Sequence, residues 1–170
     1  MPQYTMYNGP MVTTTGPTPV TTGTSLKTML QVKMGATGLM KVKAWGYSYS
    51  GFAAAAPGVI ELIETDVAAT VTAFVAADIT KSDAAALMAG DPSTAMISVG
   101  TSASGYTSTS EGTTTASRWL DGPAQSAPTT QYAWAFPLGD EPVIQPAKFL
   151  RVRVLFGTAV TMLCWVKVEV

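Results

Sequence analysis

Histidine is missing from this chain, and cysteine occurs once in 170 residues. Without imidazole there is no Ser-His-Asp or Cys-His relay, and most zinc sites lose their usual ligand. One thiol closes no intramolecular disulfide and makes no metal cluster, and a small buried hydrophobe is the expected role for Cys164. Charge is scarce too. Ten Lys and Arg with eleven Asp and Glu make 12 % of the residues and a net charge of −1, about half the usual share. No basic run tracks a phosphate backbone, so no nucleic-acid partner is expected. No stretch reaches the roughly 18 uninterrupted apolar residues of a membrane helix. Nor does a basic segment followed by an apolar run open the chain. The expectation is a soluble chain with no membrane partner and no signal peptide. Ala, Thr, Ser and Gly fill the gap that charge leaves, and such a surface suits a protein packed against others.

What the chain has in quantity is two-residue alternation, the signature of half-buried strands. Leu150, Val152, Val154 and Phe156 alternate with Phe149, Arg151, Arg153 and Leu155. After Gly157-Thr158-Ala159, Val160, Met162, Cys164, Val166, Val168 and Val170 do the same. The pair reads as an antiparallel hairpin, and residues 25–34 and 39–50, joined by Gly35-Ala36-Thr37-Gly38, read as a second one. Residues 59–77 exceed a usual strand, so a break is expected near Ala68-Ala69. Residues 93–100 hold a short strand with Ala95, Ile97 and Val99. Residues 101–117 read as exposed strands split at Gly112, and 121–130 as loop. Tyr132, Trp134 and Phe136 share a face of a further strand. The one helical candidate is 82–89, with Ser82 as cap and Gly90 as stop. Eight to ten short strands with turns between them predict an all-β fold, an antiparallel β-sandwich or barrel, formed by residues 25–170 as a single domain.

Residues 1–24 differ in composition: seven of the thirteen from Val12 to Thr24 are Thr, with two Pro and two Gly among them. They read either as a flexible leader or as an extended arm laid over a neighbouring subunit, with Tyr4, Met6, Tyr7, Met11 and Val12 as anchors.

Two clusters invite chemistry. Glu64 and Asp66, two apart near Glu61, resemble a two-carboxylate pair. The favoured reading makes them structural ion pairs with Arg151 and Arg153 across the sheet or a subunit boundary. Trp45, Tyr47, Tyr49 and Trp134 form an oligomer interface or a ligand face, the latter a sugar-stacking platform. The run Gly100–Gly105 approaches a nucleophile elbow with its second glycine one position late, and no phosphate-cradling Gly loop is present. No catalytic residue, cofactor or metal is assigned.

Four runs carry a family likeness. Residues 56–73 (APGVIELIETDVAATVTA), Gly105-Tyr106-Thr107 with Glu111-Gly112-Thr113, residues 149–154 (FLRVRV), and Trp45-Gly46 before a Tyr/Ser-rich strand end resemble a family of structural proteins of phages infecting actinobacteria. The resemblance spans roughly residues 25–170. It implies a capsid decoration (cementing) or minor capsid protein with a jelly-roll-like β-sandwich and an extended N-terminal arm. Such a protein is trimeric, is made in the host cytoplasm, and binds the major capsid protein on the outside of the virion head. A head-fibre or tail module binding a host receptor or glycan is the alternative.

Overall fold

Parity places the core where the C-terminal alternation predicts. Leu150, Val152, Val154 and Phe156 are buried, as are Met162, Cys164, Val166, Val168 and Val170. The computed structural model describes residues 2–12, 14–50, 57–82, 97–123 and 131–170. In chain order its strands are β1 (Gln3–Tyr7), β2 (Val20–Thr21), β3 (Lys27–Lys33), β4 (Met40–Tyr49), β5 (Val59–Thr65), β6 (Thr70–Ala73), β7 (Ile79–Lys81), β8 (Gly105–Ser110), β9 (Ser117–Asp121), β10 (Tyr132–Ala135), β11 (Val143–Ile144), β12 (Phe149–Leu155) and β13 (Thr161–Glu169), with a 3-10 turn at Ala76–Asp78. They form two antiparallel sheets. One runs β10-β4-β13-β1-β7, with β11 beside β4 and β2 beside β13; the other runs β6-β8-β3-β12-β5-β9. Their apolar faces enclose one core around Trp45, Tyr47, Met29, Leu30, Val152 and Val166. The chain is an all-β sandwich. The expected break after β5 is present, since β5 ends at Thr65 and β6 begins at Thr70.

Neither expected hairpin forms. β12 pairs with β3 and β5, while β13 pairs with β4, β1 and β2. β3 and β4 likewise lie in opposite sheets. Each connection is an arch that crosses the core, and exposed residues 157–159 pass between buried Phe156 and Val160. Alternation states which side chains face inward; two strands with one apolar face each satisfy it equally side by side or face to face.

The N-terminal arm is also corrected. β1 lies inside its own sheet between β13 and β7, in register Tyr4↔Val168 and Met6↔Val166, and Tyr4 and Met6 are fully buried. Asn8 is buried as well. Its amide donates to Met162 O at 3.0 Å, and its Oδ1 accepts from Cys164 N at 2.9 Å. Thr22 exchanges hydrogen bonds with Val160, giving its N–H at 2.8 Å and receiving one on its hydroxyl at 3.1 Å. Of the proposed anchors, Tyr7 and Met11 are half-buried and Val12 is exposed. A five-residue strand needs little composition of its own when two neighbours supply the backbone bonds.

Bulges reset the parity that simple counting assumes, and three of them shape the two central pairings and the β9 margin. Lys43 is extra in β4 opposite β13, Met29 in β3 opposite β12, and Leu120 in β9 opposite β5. The first puts even-numbered Met40 and Val42 on the same buried side as odd-numbered Trp45 and Tyr47. Of the helix expected at 82–89 only Ser82 lies among the described residues. Of the strand expected at 93–100, residues 97–100 are described and form a turn.

Candidate functional site: the open side of the sandwich

The aromatic row of β4 is core rather than surface, which corrects its reading as an interface or ligand face. Trp45 and Tyr47 are 0 and 2 % exposed. Tyr132 of β10 stacks on Tyr47 with centroids 5.6 Å apart and planes at 22°, and lies 5.3 Å from the Trp45 ring. Tyr49, half-buried, meets Phe156 edge-on at 6.0 Å. Large rings buried this way need partners for their polar atoms. Asp121 is that partner: its Oδ2 accepts from Trp45 Nε1 and from the Tyr132 hydroxyl, both at 2.8 Å. The bulge at Leu120 lets β9 turn this carboxylate across the gap between the sheets. Burial, with Asp121 adding to it, pushes the Tyr132 hydroxyl up to about 12. Opposite β10, Gly46 is the residue that fits, because a Cβ there would stand 2.6 Å from Tyr132 O and 2.9 Å from the Trp165 ring.

The four predicted charges are paired, but not with each other. Arg153 joins Glu61 at 2.6 Å, Arg151 joins Glu111, and Glu64 joins Arg118 at 3.0 Å. Asp66 accepts from Ala116 N at 3.0 Å, Thr115 N at 3.2 Å and the Thr115 hydroxyl. Register explains the exchange. Arg153 stands opposite Glu61, whereas Glu64 stands opposite Leu150, on the other face from both arginines. Asp66 lies beyond the strand end. The Thr115 hydroxyl, with the Ala116 and Thr115 amides behind it, holds the Asp66 carboxyl down at about 2. Glu64 is further occupied by Gln145 N at 3.0 Å. A general acid needs the opposite treatment, a raised pKa and a free face.

Among the described residues no group of three His, Cys, Asp or Glu is placed to hold a metal ion. No helix among them is long and apolar enough to cross a membrane. A cleft of about 280 Å³ between residues 22–27 and 108–111 is lined mainly by hydroxyls and Glu111. Burial pushes the Cys164 thiol far up, so it stays protonated and unreactive.

Among the described residues, the exposed tryptophans lie at the margin where β9 and β10 end their sheets, while Leu39 and Val75 are exposed elsewhere. Trp134 of β10 is 46 % exposed, Trp119 of β9 is 60 % exposed, and Leu138 just after β10 is 92 % exposed. Trp134 stands opposite Trp45, and Trp119 opposite Ile63 on the outer face of its sheet. Of the predicted aromatics only Trp134 is thus a surface residue with large open area. Trp119 and Asp121 escaped the sequence reading, although Ser117-Arg118-Trp119-Leu120-Asp121 is a short β-prone run with polar ends. No protein-family model, curated protein or solved structure matches the chain.

Proposed function

We propose that this chain is a non-enzymatic phage structural protein that decorates the outer surface of the head shell and cements it. The observation that carries the reading is strand order. Numbered along the chain, β1, β3, β4, β5, β9, β10, β12 and β13 fall into sheets 1-8-3-6 and 2-7-4-5, with the remaining strands added around them. That is the order of a jelly roll, an architecture of viral capsid and lectin domains. Fold alone does not select a role. The capsid choice is supported by the resemblance of the runs at 56–73, 105–113 and 149–154, and by carboxylates that are occupied rather than poised. The mechanism is mass action: a protein that binds only the assembled shell stabilises it, by about 2.7 kcal/mol per site at a hundredfold excess over Kd. The partner is the major capsid protein, and contacts bridging several shell subunits add avidity. Attachment does not run through a detachable arm, since removing residues 1–24 would remove β1 from the middle of its sheet.

The half-exposed tryptophans Trp119 and Trp134 favour a second reading, a head-fibre or tail module that binds a receptor or glycan. Counting copies of the chain per purified virion, relative to the main shell subunit, separates the two. A ratio near one is the expected result. A few copies per particle would move the chain to a vertex or tail, and absence from particles would remove both readings.

A further inference from the structure

We infer that two copies of this chain join β10 to β10, antiparallel about a two-fold axis, so that one sheet runs through both. Among the described residues, apart from the two-residue strands β2 and β11, the two sheets end in four edge strands, β6, β7, β9 and β10. Exposed edges invite pairing, and proteins blunt them with charge, proline, bulges or extreme shortness. β6 pairs irregularly with β8, where Thr107 and Thr109 are extra, and its Val71 N–H is already given to Ser102 O at 3.4 Å. β7 is three residues long and ends in Lys81. β9 carries Arg118 and Asp121 and the bulge at Leu120. β10, Tyr132-Ala133-Trp134-Ala135, is short too and is followed by Pro137, but within the strand it carries no charge, no proline and no bulge.

Its outward hydrogen-bonding groups are also identifiable. Phe136 N donates to Lys43 O at 2.9 Å, and β10 and β4 continue in register through Trp134↔Trp45 and Tyr132↔Tyr47. Antiparallel bonding alternates, so the peptide groups of residues 132, 134 and 136 face β4 while those of Ala133 and Ala135 face away. Among the described residues no strand lies beyond them. A two-fold axis perpendicular to the sheet pairs Ala133 with the Ala133 of the second copy through two N–H···O bonds. It also sets Trp134 across from the other copy's Tyr132, an aromatic pair on one face over alanines on the other. Such a contact is self-complementary, and a net charge of −1 opposes it little. Four residues of strand fall short of the roughly 1,000 Å² of a specific interface. Asp121 ties β9 to β10, however, so the same approach brings the β9 margins together and covers part of Trp134 and Leu138.

Amide hydrogen exchange of the full chain over a range of concentrations, with sedimentation equilibrium alongside, tests the inference. The expected result is a dimer in which the Ala133 and Ala135 amides gain protection as concentration rises. The Trp134 and Phe136 amides, bonded to β4, stay protected throughout. The variant Ala133→Pro removes an N–H that β4 does not use and should weaken the dimer about 30-fold. A chain that stays monomeric at about 1 mM overturns the inference, as does a dimer or trimer in which both alanine amides exchange freely. Should the proline variant not fold, the exchange pattern of the unaltered chain decides.

Discussion

Along one side of the sandwich, β1 and β3 are carried onward by β7, β8 and β6, all from the insertion between β5 and β9. Along the other, β4 is followed by the short strands β10 and β11 and β5 by the short strand β9. The closed side is fastened by buried polar side chains that hold backbone. Gln31, fully buried, donates to Ala69 O at 3.1 Å and Ala103 O at 2.9 Å, and its Oε1 accepts from Ala69 N at 2.9 Å. Arg151, 1 % exposed, meets Glu111, which also accepts from Thr28 N at 2.6 Å and the Thr28 hydroxyl at 2.7 Å. β8 needs this help, because it pairs with β3 over two residues only. On the open side Asp121 ties β9 to β10 and Glu64 is held by Arg118 and Gln145 N, but among the described residues no strand lies along the outer edge of β10. A buried group with one geometrically specified partner excludes other partners, whereas an unpaired edge accepts any strand of the right shape. One side is closed by specified contacts, and the other leaves an edge on which the proposed second copy would sit.

The largest effect should come from breaking the closed side. Arg151→Met leaves the Glu111 carboxylate against Thr28 without its cation; with Arg151 buried and Glu111 about a fifth exposed, the loss should be about 2–3 kcal/mol, below the range for a pair buried on both sides. Urea denaturation measures this directly. A loss under about 1 kcal/mol would mean that backbone pairing alone holds the insertion in place. Burial pulls the Arg151 guanidinium below its usual pKa while Glu111 opposes the shift, a balance that depends on both partners staying in place.

A smaller effect is expected on the open side. Asp121→Ala removes the acceptor shared by Trp45 Nε1 and the Tyr132 hydroxyl, and two donors left unsatisfied cost about 2 kcal/mol. The fastening also has a spectroscopic mark. The Tyr132 phenol, held up to about 12 by burial and by Asp121, should titrate lower in the variant. An unchanged phenolate titration would assign the whole shift to burial and leave Asp121 no part in it.

How much of this was legible in the sequence depended on which physical rule each feature obeys. Period-two alternation located the buried residues of β12 and β13 and the break between β5 and β6, because side-chain direction is local. It gave no neighbours. Arches and hairpins have the same pattern, and β1 is too short to announce that it sits between two strands. The bulge at Lys43 shifts the phase of β4 by one residue, so Trp45 and Tyr47 fall on the same buried side as Met40 and Val42. The carboxylates and arginines were recognisable as paired charges, but choosing Glu61 for Arg153 needs the β5–β12 register. Glu111 was beyond reach, since nothing near Gly112 says that the loop lands on Arg151. The open side was half visible: Trp134 by its alternation with Tyr132, Trp119 not at all.

Acid offers the finest division, between the root of the insertion and the loop after β10, since each has a strongly depressed carboxyl. Asp66, where the insertion leaves β5, is held at about 2 against an ordinary 3.8, first by the Thr115 hydroxyl and then by the Ala116 amide. Glu141, in the loop between β10 and β11, is held at about 2 against an ordinary 4.5, first by Lys43 at 2.5 Å and then by the Gly139 amide. Both are lower folded than unfolded, so each stabilises fully above its ordinary value and stops doing so as pH falls through about 2. Stability should therefore decline from about pH 4.5 downward. The two contributions differ in kind. The Lys43–Glu141 ion pair, reached by solvent through the partly exposed lysine, is weakened by about 1 M salt, and hydrogen bonds from a hydroxyl and an amide less so. In melts between pH 6 and 2, Glu141→Gln should flatten the part of the acid slope that salt removes, and Asp66→Asn the part that survives salt. If Asp66→Asn leaves the salt-resistant slope untouched, the Thr115–Ala116 cradle is not what secures the root of the insertion, and the closed side rests on Arg151 and Gln31.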